Sequence, residues 1–482
     1  MNKLLLSTLC IFTFTTAQAQ TALQVQKTGD KLSLQRCVDI ALQNNISVKQ
    51  SVIQLQSATL SLDQSRNNRL PNLNGSISES FNFGRTVDPF TNTAQDRSLN
   101  SNNLGANGGV TVFNGHLLKN TILQNDILLK ATEFDLQAMK ENISLQVALA
   151  YLNILSAEDQ LSIAKTQSEI TKLQIDRTDK LVKAGSLPIS NYLDLKAQLA
   201  NEETVIINNQ STLDIANLTL IQLLNDKNIT DVQLDRISVP TPSTNGYEES
   251  ADKVYQAAEN NQAFIKAADL RVRSADKGIE IARAGFLPTV FLNASMGANQ
   301  SNTQKEYIQN GTTTNNLGTV TFNGQDIPLI VSQPKFADNG TVSYFKQLSN
   351  TFNYGFGANV SIPIFSRFIN KTRVSQANLQ KYNAELEAQK TRLSLRQNIE
   401  QAYVNMNNAA KRYDATNVQV QALQESFRAS ESRFNAGAID FVAYNLQKTN
   451  LDKARANLVQ TKYDYVFRTK ILDFYQGKPI GF

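Results

Sequence analysis

The sequence predicts a mostly α-helical fold with a transmembrane β part, built from two copies of one unit. Three observations carry that expectation. They are an internal duplication, four period-two segments of about 9–12 residues, and breaker-free helical stretches of about 70 residues. Glycine and proline number only 21 and 10 in 482 residues, and Gln, Asn, Leu and Ala abound, a composition that favours long helices.

The N-terminus comes first in the chain and sets the compartment. Lys3 precedes an apolar run from Leu4 to Phe14, and Ala17-Gln18-Ala19 supplies the small-x-small pattern of a signal peptidase site. Residues 1–19 read as a signal peptide. The run is too short for a transmembrane helix, which needs roughly 20 apolar residues, and no later stretch reaches 18. Beyond the signal the balance is 46 basic against 42 acidic residues, interspersed, so nucleic acid is not an expected partner. Of the two cysteines only Cys37 survives processing; it lies among Leu34, Val38 and Ala41 and reads as a small core residue.

The duplication organises everything after that. Val112-Phe113 recurs as Ile364-Phe365, an offset of 252, and Ala150-Tyr151, Asn153, Ala184-Gly185 and Tyr192 recur at the same offset as Ala402-Tyr403, Asn405, Ala436-Gly437 and Tyr444. Upstream, Asn44-Asn45 pairs with Asn260-Asn261, and Leu70-Pro71 with Leu287-Pro288 at an offset of 217. The second copy therefore holds 35 extra residues, within the Asn-, Thr- and Gly-rich stretch at about 299–350. The first repeat spans 20–238, the linker 239–250 and the second repeat 251–482, the linker being marked by Val239-Pro240-Thr241-Pro242.

Each copy carries two strands, expected at about 73–84 and 104–113, then 288–298 and 353–365. Leu73, Gly75, Ile77, Phe81 and Phe83 alternate with Asn74, Ser76, Ser78, Ser80 and Asn82, and the other three segments alternate likewise. One apolar and one polar or small face over that length suits a lipid-exposed barrel strand.

Long helices follow the strands, at about 115–184 and 366–436, with return helices at about 188–225 and 440–476. The series Ile122, Leu129, Leu136, Ile143, Ala150, Ala157, Ala164 is apolar throughout, and a second seam runs Val147, Ile154, Leu161, Ser168, Ile175, Val182. Two overlapping heptad seams mean neighbours on more than one side, as in a wall of helices. The helix before the strands, about 34–68, and the return helix together match the long one in length, each covering half of it. Gly185 and Gly437 stand where a left-handed C-cap turns the chain at the tips.

In this ordered duplicate, in the run Leu34-Gln35-Arg36-Cys37-Val38-Asp39-Ile40-Ala41-Leu42-Gln43-Asn44-Asn45, and in Ala-Gly followed by Tyr192 and Tyr444, the chain resembles the TolC-like outer-membrane efflux proteins over its whole mature length. The resemblance implies a homotrimer in the bacterial outer membrane. Its strands would share a 12-stranded β-barrel in outer-membrane lipid, and its helices a periplasmic α-barrel. It also implies a periplasmic adaptor and an inner-membrane transporter of RND or ABC type, passive export, no cofactor and no enzymatic activity. The tip turns Gly185, Ser186, Leu187 and Gly437, Ala438, Ile439 are the implied adaptor contact.

The family's charged gate does not carry over. Ala443 and Leu446 replace aspartates, Ile439 an arginine, Phe434 a tyrosine and Asn191 an aspartate. An entrance closed by packing of Phe434, Ile439, Tyr444 and Leu446 is expected, with Asp194 and Asp440 as the remaining acidic candidates. Catalytic signals are lacking: one histidine, His116, builds neither a histidine metal site nor a Ser-His-Asp triad, and no phosphate-binding or Cys-x-x-Cys motif occurs. The competing reading is a non-transporting periplasmic coiled-coil spacer.

Overall fold

The computed structural model describes residues 31–87, 92–96, 98–237, 242 and 246–478. The signal segment and half of the linker, residues 239–241 and 243–245, lie outside the described residues. The first copy runs α1 (Leu34–Asn44), α2 (Ile46–Asn67), β1 (Asn72–Asn82), a small hairpin β2 (Arg85–Val87) and β3 (Ala94–Asp96), β4 (Leu99–Asn114), α3 (Leu117–Lys183) and α4 (Ile189–Leu224). The second runs α5 (Ala251–Asn261), α6 (Ala263–Arg283), β5 (Thr289–Ser301), β6 (Lys305–Phe322), β7 (Gln325–Thr341), α7 (Tyr344–Thr351), β8 (Asn353–Ser361), α8 (Ile369–Asn435) and α9 (Phe441–Gln476).

The repeat extends to the backbone. Helices α3 and α8 are each 67 residues, and α4 and α9 each 36. Left-handed residues recur at the offset of 252: Gly115 and Arg367, His116 and Phe368, Gly185 and Gly437, Asn225 and Gly477. Gly115 is constrained twice, by φ +63 and by Ala284 O, which a Cβ there would meet at 2.7 Å.

Where one helix was expected before the strands there are two. Ser33 caps α1 by accepting from Arg36 N; Asn45 then turns extended and its side chain caps α2 by accepting from Ser47 N. Ser250 caps α5 and Gln262 makes the same break, 217 residues after Ser33 and Asn45. The Asn-Asn match in the sequence is thus one residue out of step with the fold.

Strands β1, β4, β5 and β8 form one antiparallel sheet in the order β1-β4-β5-β8, two strands from each copy. Its register places Ile77 opposite Leu104, Leu104 opposite Ala298, Val110 opposite Leu292, and Val290 opposite Val360. Because side chains alternate strictly, Leu73, Ile77, Phe81, Leu104, Val110, Leu292, Met296, Tyr354, Phe356 and Val360 share one face. The opposite face is Asn, Ser, Thr and Gly, interrupted by Phe291, whose ring fills the space above Gly109. The expected alternation fails at Val112. A β-bulge between Thr111 and Phe113 leaves Val112 unpaired and brings Phe113 opposite Val290.

The extra residues of the second copy form a ribbon, β6 paired with β7, and the short helix α7. Its base is fixed to the sheet, since Gln347 Oε1 accepts from Ser301 N at 2.8 Å and Asn100 O accepts from Asn302 N at 3.0 Å.

The helices pack as a wall. Near the sheet the order is α2-α3-α6-α8, and toward the far end α4-α3-α9-α8. The two halves meet at a core holding Cys37, Val147, Tyr151, Leu155, Leu220, Ile265, Ile399 and Met406. Tyr151 donates its hydroxyl to Asp235 O at 2.5 Å, and Leu32 N donates to Gln233 O at 2.7 Å, tying the end of the first copy to its beginning. Burial pushes the Cys37 thiol up to about 12, so it is an inert core residue as expected. No described helix is long and apolar enough to cross a membrane.

Candidate functional site at the helical tips

Both tip turns are Schellman motifs with the same bonds. Ser186 N donates to Leu181 O and Gly185 N to Val182 O, both at 2.9 Å; Ala438 N donates to Arg433 O at 2.9 Å and Gly437 N to Phe434 O at 3.0 Å. Gly185 and Gly437 have φ of +77 and +74 with open space around them, so conformation rather than crowding demands glycine. Pro188 occupies the N-cap of α4, and Asp440 caps α9 by accepting from Ala443 N at 2.9 Å. Gly185, Ser186, Gly437 and Ala438 are exposed, while Leu187 and Ile439 are half-buried. Lys180 and Lys183 pair with Asp176 and Asp179 at 2.6 Å and sit in the last turn of α3, where cations complement the helix dipole.

The two tips lie together. Leu195 of α4, Phe441 and Tyr444 of α9 are buried in one cluster, with Ile175, Phe427, Phe434 and Ile439 packed against it. Phe434 and Tyr444 stack at 4.8 Å between centroids, and Phe441 meets Phe434 at 6.1 Å. Gln174 Nε2 donates to the Tyr444 hydroxyl at 2.6 Å, and burial pushes that phenol up to about 12. The cluster joins the α8–α9 hairpin to the α3–α4 hairpin.

Of the residues singled out in the sequence, Phe434, Ile439 and Tyr444 meet in this cluster. Leu446 does not: it is 57% exposed, on the far side of α9. Ala443 and Asp194 are exposed and Asn191 is half-buried, outside the cluster. The Asp440 carboxylate is engaged as a helix cap. Leu195, Phe441 and Gln174 were missed, as was Lys448, which is 3% exposed one turn along α9. The spacing Phe441, Tyr444, Lys448, Leu451, alternating three and four, is the signal that places all four on one seam. Among the described residues no group of His, Cys, Asp and Glu is arranged to hold a metal.

Residues 37–226 and 254–475 match the family model of outer membrane efflux proteins. The chain is similar to outer membrane protein TolC of Salmonella enteritidis, with 23% identity over 336 residues, covering 68% of this chain and 60% of that protein. It thus spans less than two thirds of that relative. TolC of Vibrio cholerae is 21% identical over 346 residues, 70% of this chain and 68% of its own. In structure the chain is similar to the CmeC outer membrane channel of Campylobacter jejuni, with TM-score 0.71 and 18% identity over 96% of this chain and 92% of that one. VceC of Vibrio cholerae gives TM-score 0.71 and 15% identity, over 93% and 97%. At these identities the structural likeness speaks for the fold, which is mostly helical, duplicated and of the TolC type. The family consists of outer-membrane channels with a periplasmic helical part, not enzymes. Matched over both of its copies, this chain belongs to the outer membrane efflux protein family.

Proposed function

We propose that three copies of this chain form a passive exit duct, closing twelve strands into a barrel and their helices into a periplasmic tunnel. The observation that carries this reading is the four-stranded sheet. One face is apolar over most of its length, broken where Glu79 stands opposite Asn102 and Phe81 opposite Asn100, the outer edges of β1 and β8 are open, and 67-residue helices stand beneath it. Open edges are not viable in hydrocarbon, and four strands are too few to close, since the smallest bacterial barrels have about eight. The flanks of the helix wall are equally incomplete. Ile46, Ile53 and Leu60 form an exposed row on α2, and Leu379, Leu386 and Leu393 one on α8, at the two ends of the order α2-α3-α6-α8. Each row repeats every seven residues, as an interface between copies requires.

In this reading the tip turns at Gly185, Ser186, Leu187 and Gly437, Ala438, Ile439 meet a periplasmic adaptor, and an RND- or ABC-type inner-membrane transporter supplies the cargo. The alternative, a coiled-coil spacer that conducts nothing, leaves the apolar sheet face without a purpose. Single-channel recording in planar bilayers decides between them. Stable conductance steps from purified protein are expected; trimers that insert and never conduct would overturn the duct.

A further inference from the structure

Lys448 lies deep between the hairpins. Its ammonium donates to Thr171 Oγ1 of α3 at 2.8 Å and to Glu202 Oε1 of α4 at 3.2 Å, and stands 3.9 Å from Asp452 Oδ2 on its own helix. Glu202 is 8% exposed. One cation thus faces two carboxylates, and the site carries a net negative charge when all three groups are ionised. The excess shows in the bonding, because Glu202 Oε2 and Asp452 Oδ2 are both buried without a hydrogen-bond partner, as are Gln167 Nε2 and Ser168 Oγ nearby. Glu202, Asp452 and Gln167 line a cavity of about 360 Å³ between α3, α4 and α9.

A buried charge without a full partner is costly, and a carboxylate escapes that cost by taking a proton. We propose that the Glu202–Lys448–Asp452 cluster is a proton-binding site that couples the docking of α9 on the α3–α4 hairpin to pH. Asp452 is the group that takes the proton. Burial pushes its carboxyl up to about 6; Lys448 opposes the shift, Glu202 adds to it and Arg455 opposes it. Those are the charges acting on it from α9 and α4; Lys453 of α9 also lines the cavity, and α3 faces the site with the uncharged Thr171 and Gln167.

The sign follows. With the docked value raised above the free one of 3.8, docking is fully favoured below the free value and weakens as pH rises through about 6. From about pH 5.5 to about pH 7.5 the docking constant falls about fourfold. Acid therefore tightens the tip and neutral pH loosens it. The site stands by itself, whereas its effect on conduction rests on the duct reading.

The test uses the full chain in detergent with Cys37→Ser and spin labels at Leu193→Cys of α4 and Leu446→Cys of α9, both exposed positions. The longer-distance component should grow about fourfold relative to the shorter between those two pH values. Asp452→Asn, and separately Glu202→Gln, should hold the short distance at both. Lys448→Met, which leaves two buried carboxylates unpaired, should favour the long distance at neutral pH. Unchanged distances in the unsubstituted site, or a longer distance in Asp452→Asn, overturn the proposal. Bilayer recording of the same protein separates the two readings. Absent conductance with a pH-dependent distance sinks the duct alone, and conductance with a pH-indifferent distance sinks the proton site alone.

Discussion

Tyr444 holds its place by both halves of its side chain, the ring stacked on Phe434 and the hydroxyl bonded to Gln174. Tyr444→Phe keeps the stack and strands a buried amide whose Oε1 already lacks a partner, so a loss of about 1–3 kcal/mol is expected in denaturant unfolding. Phe441→Ala, which empties the centre of the cluster, should cost about 3–5 kcal/mol. Leu446→Ala should stay within about 0.5 kcal/mol, since its side chain is already in solvent. That contrast marks the limit of spacing arguments at single residues. Tyr444 and Leu446 are two positions apart, hence about 200° around the helix, and cannot both face the same partner. Lys448 was passed over because lysines are ordinarily solvated, though its position in the seam pointed inward.

At the scale of elements, the long helices and the alternating strands were legible because each keeps its period over many residues. The ribbon of β6 and β7 was not. Its register shifts at 305/307, 309/311 and 316/319 scramble the alternation, and its composition reads as loop. The turn itself, Asn323-Gly324 with φ of +53 and +78, was a hairpin signal that went unused. The bulge at Val112 was equally invisible, since one extra residue leaves composition unchanged. Val360→Arg, on the apolar face, should cost about 2–4 kcal/mol of barrel stability, while Ser361→Arg on the other face should assemble normally. Heat resistance of the assembled oligomer on gels reads the difference. At the tips, Gly185→Ala and Gly437→Ala should each cost about 1 kcal/mol, because a Cβ strains a left-handed cap that nothing crowds.

At the scale of the whole molecule, the sequence disclosed the duplication, and the resemblance it carries implied an assembly of three copies. Which flank meets which is set by packing, and only the wall order gives it. Intramolecular contacts supply the template: Gln124 of α3 donates to Ser274 O of α6, and in the proposed trimer, shifting each side by its offset would bring α8 near residue 376 to α2 near residue 57 of another copy. Cysteines at Ile53 and Leu379, with Cys37→Ser, should therefore cross-link neighbouring copies into a ladder ending at three. Cross-links confined to one copy would refute that arrangement. Cysteines at Thr313 in the ribbon and Asn92 in the first copy should react with an impermeant reagent on intact cells, since both lie beyond the sheet, away from the helices.

The equal length of α3 and α8 makes the molecule a ruler read twice. Each spans about 100 Å, so the distance from sheet to tips is fixed by counting residues rather than by any contact along the way. An insertion in one helix alone lifts its tip out of plane by about 1.5 Å per residue and turns its seam by about 100°. Only paired changes of whole heptads, with matching changes in α4 and α9, preserve both reach and facing. Length is thus more constrained than identity in this wall, while the ribbon beyond the sheet can lengthen or shorten without shifting either tip.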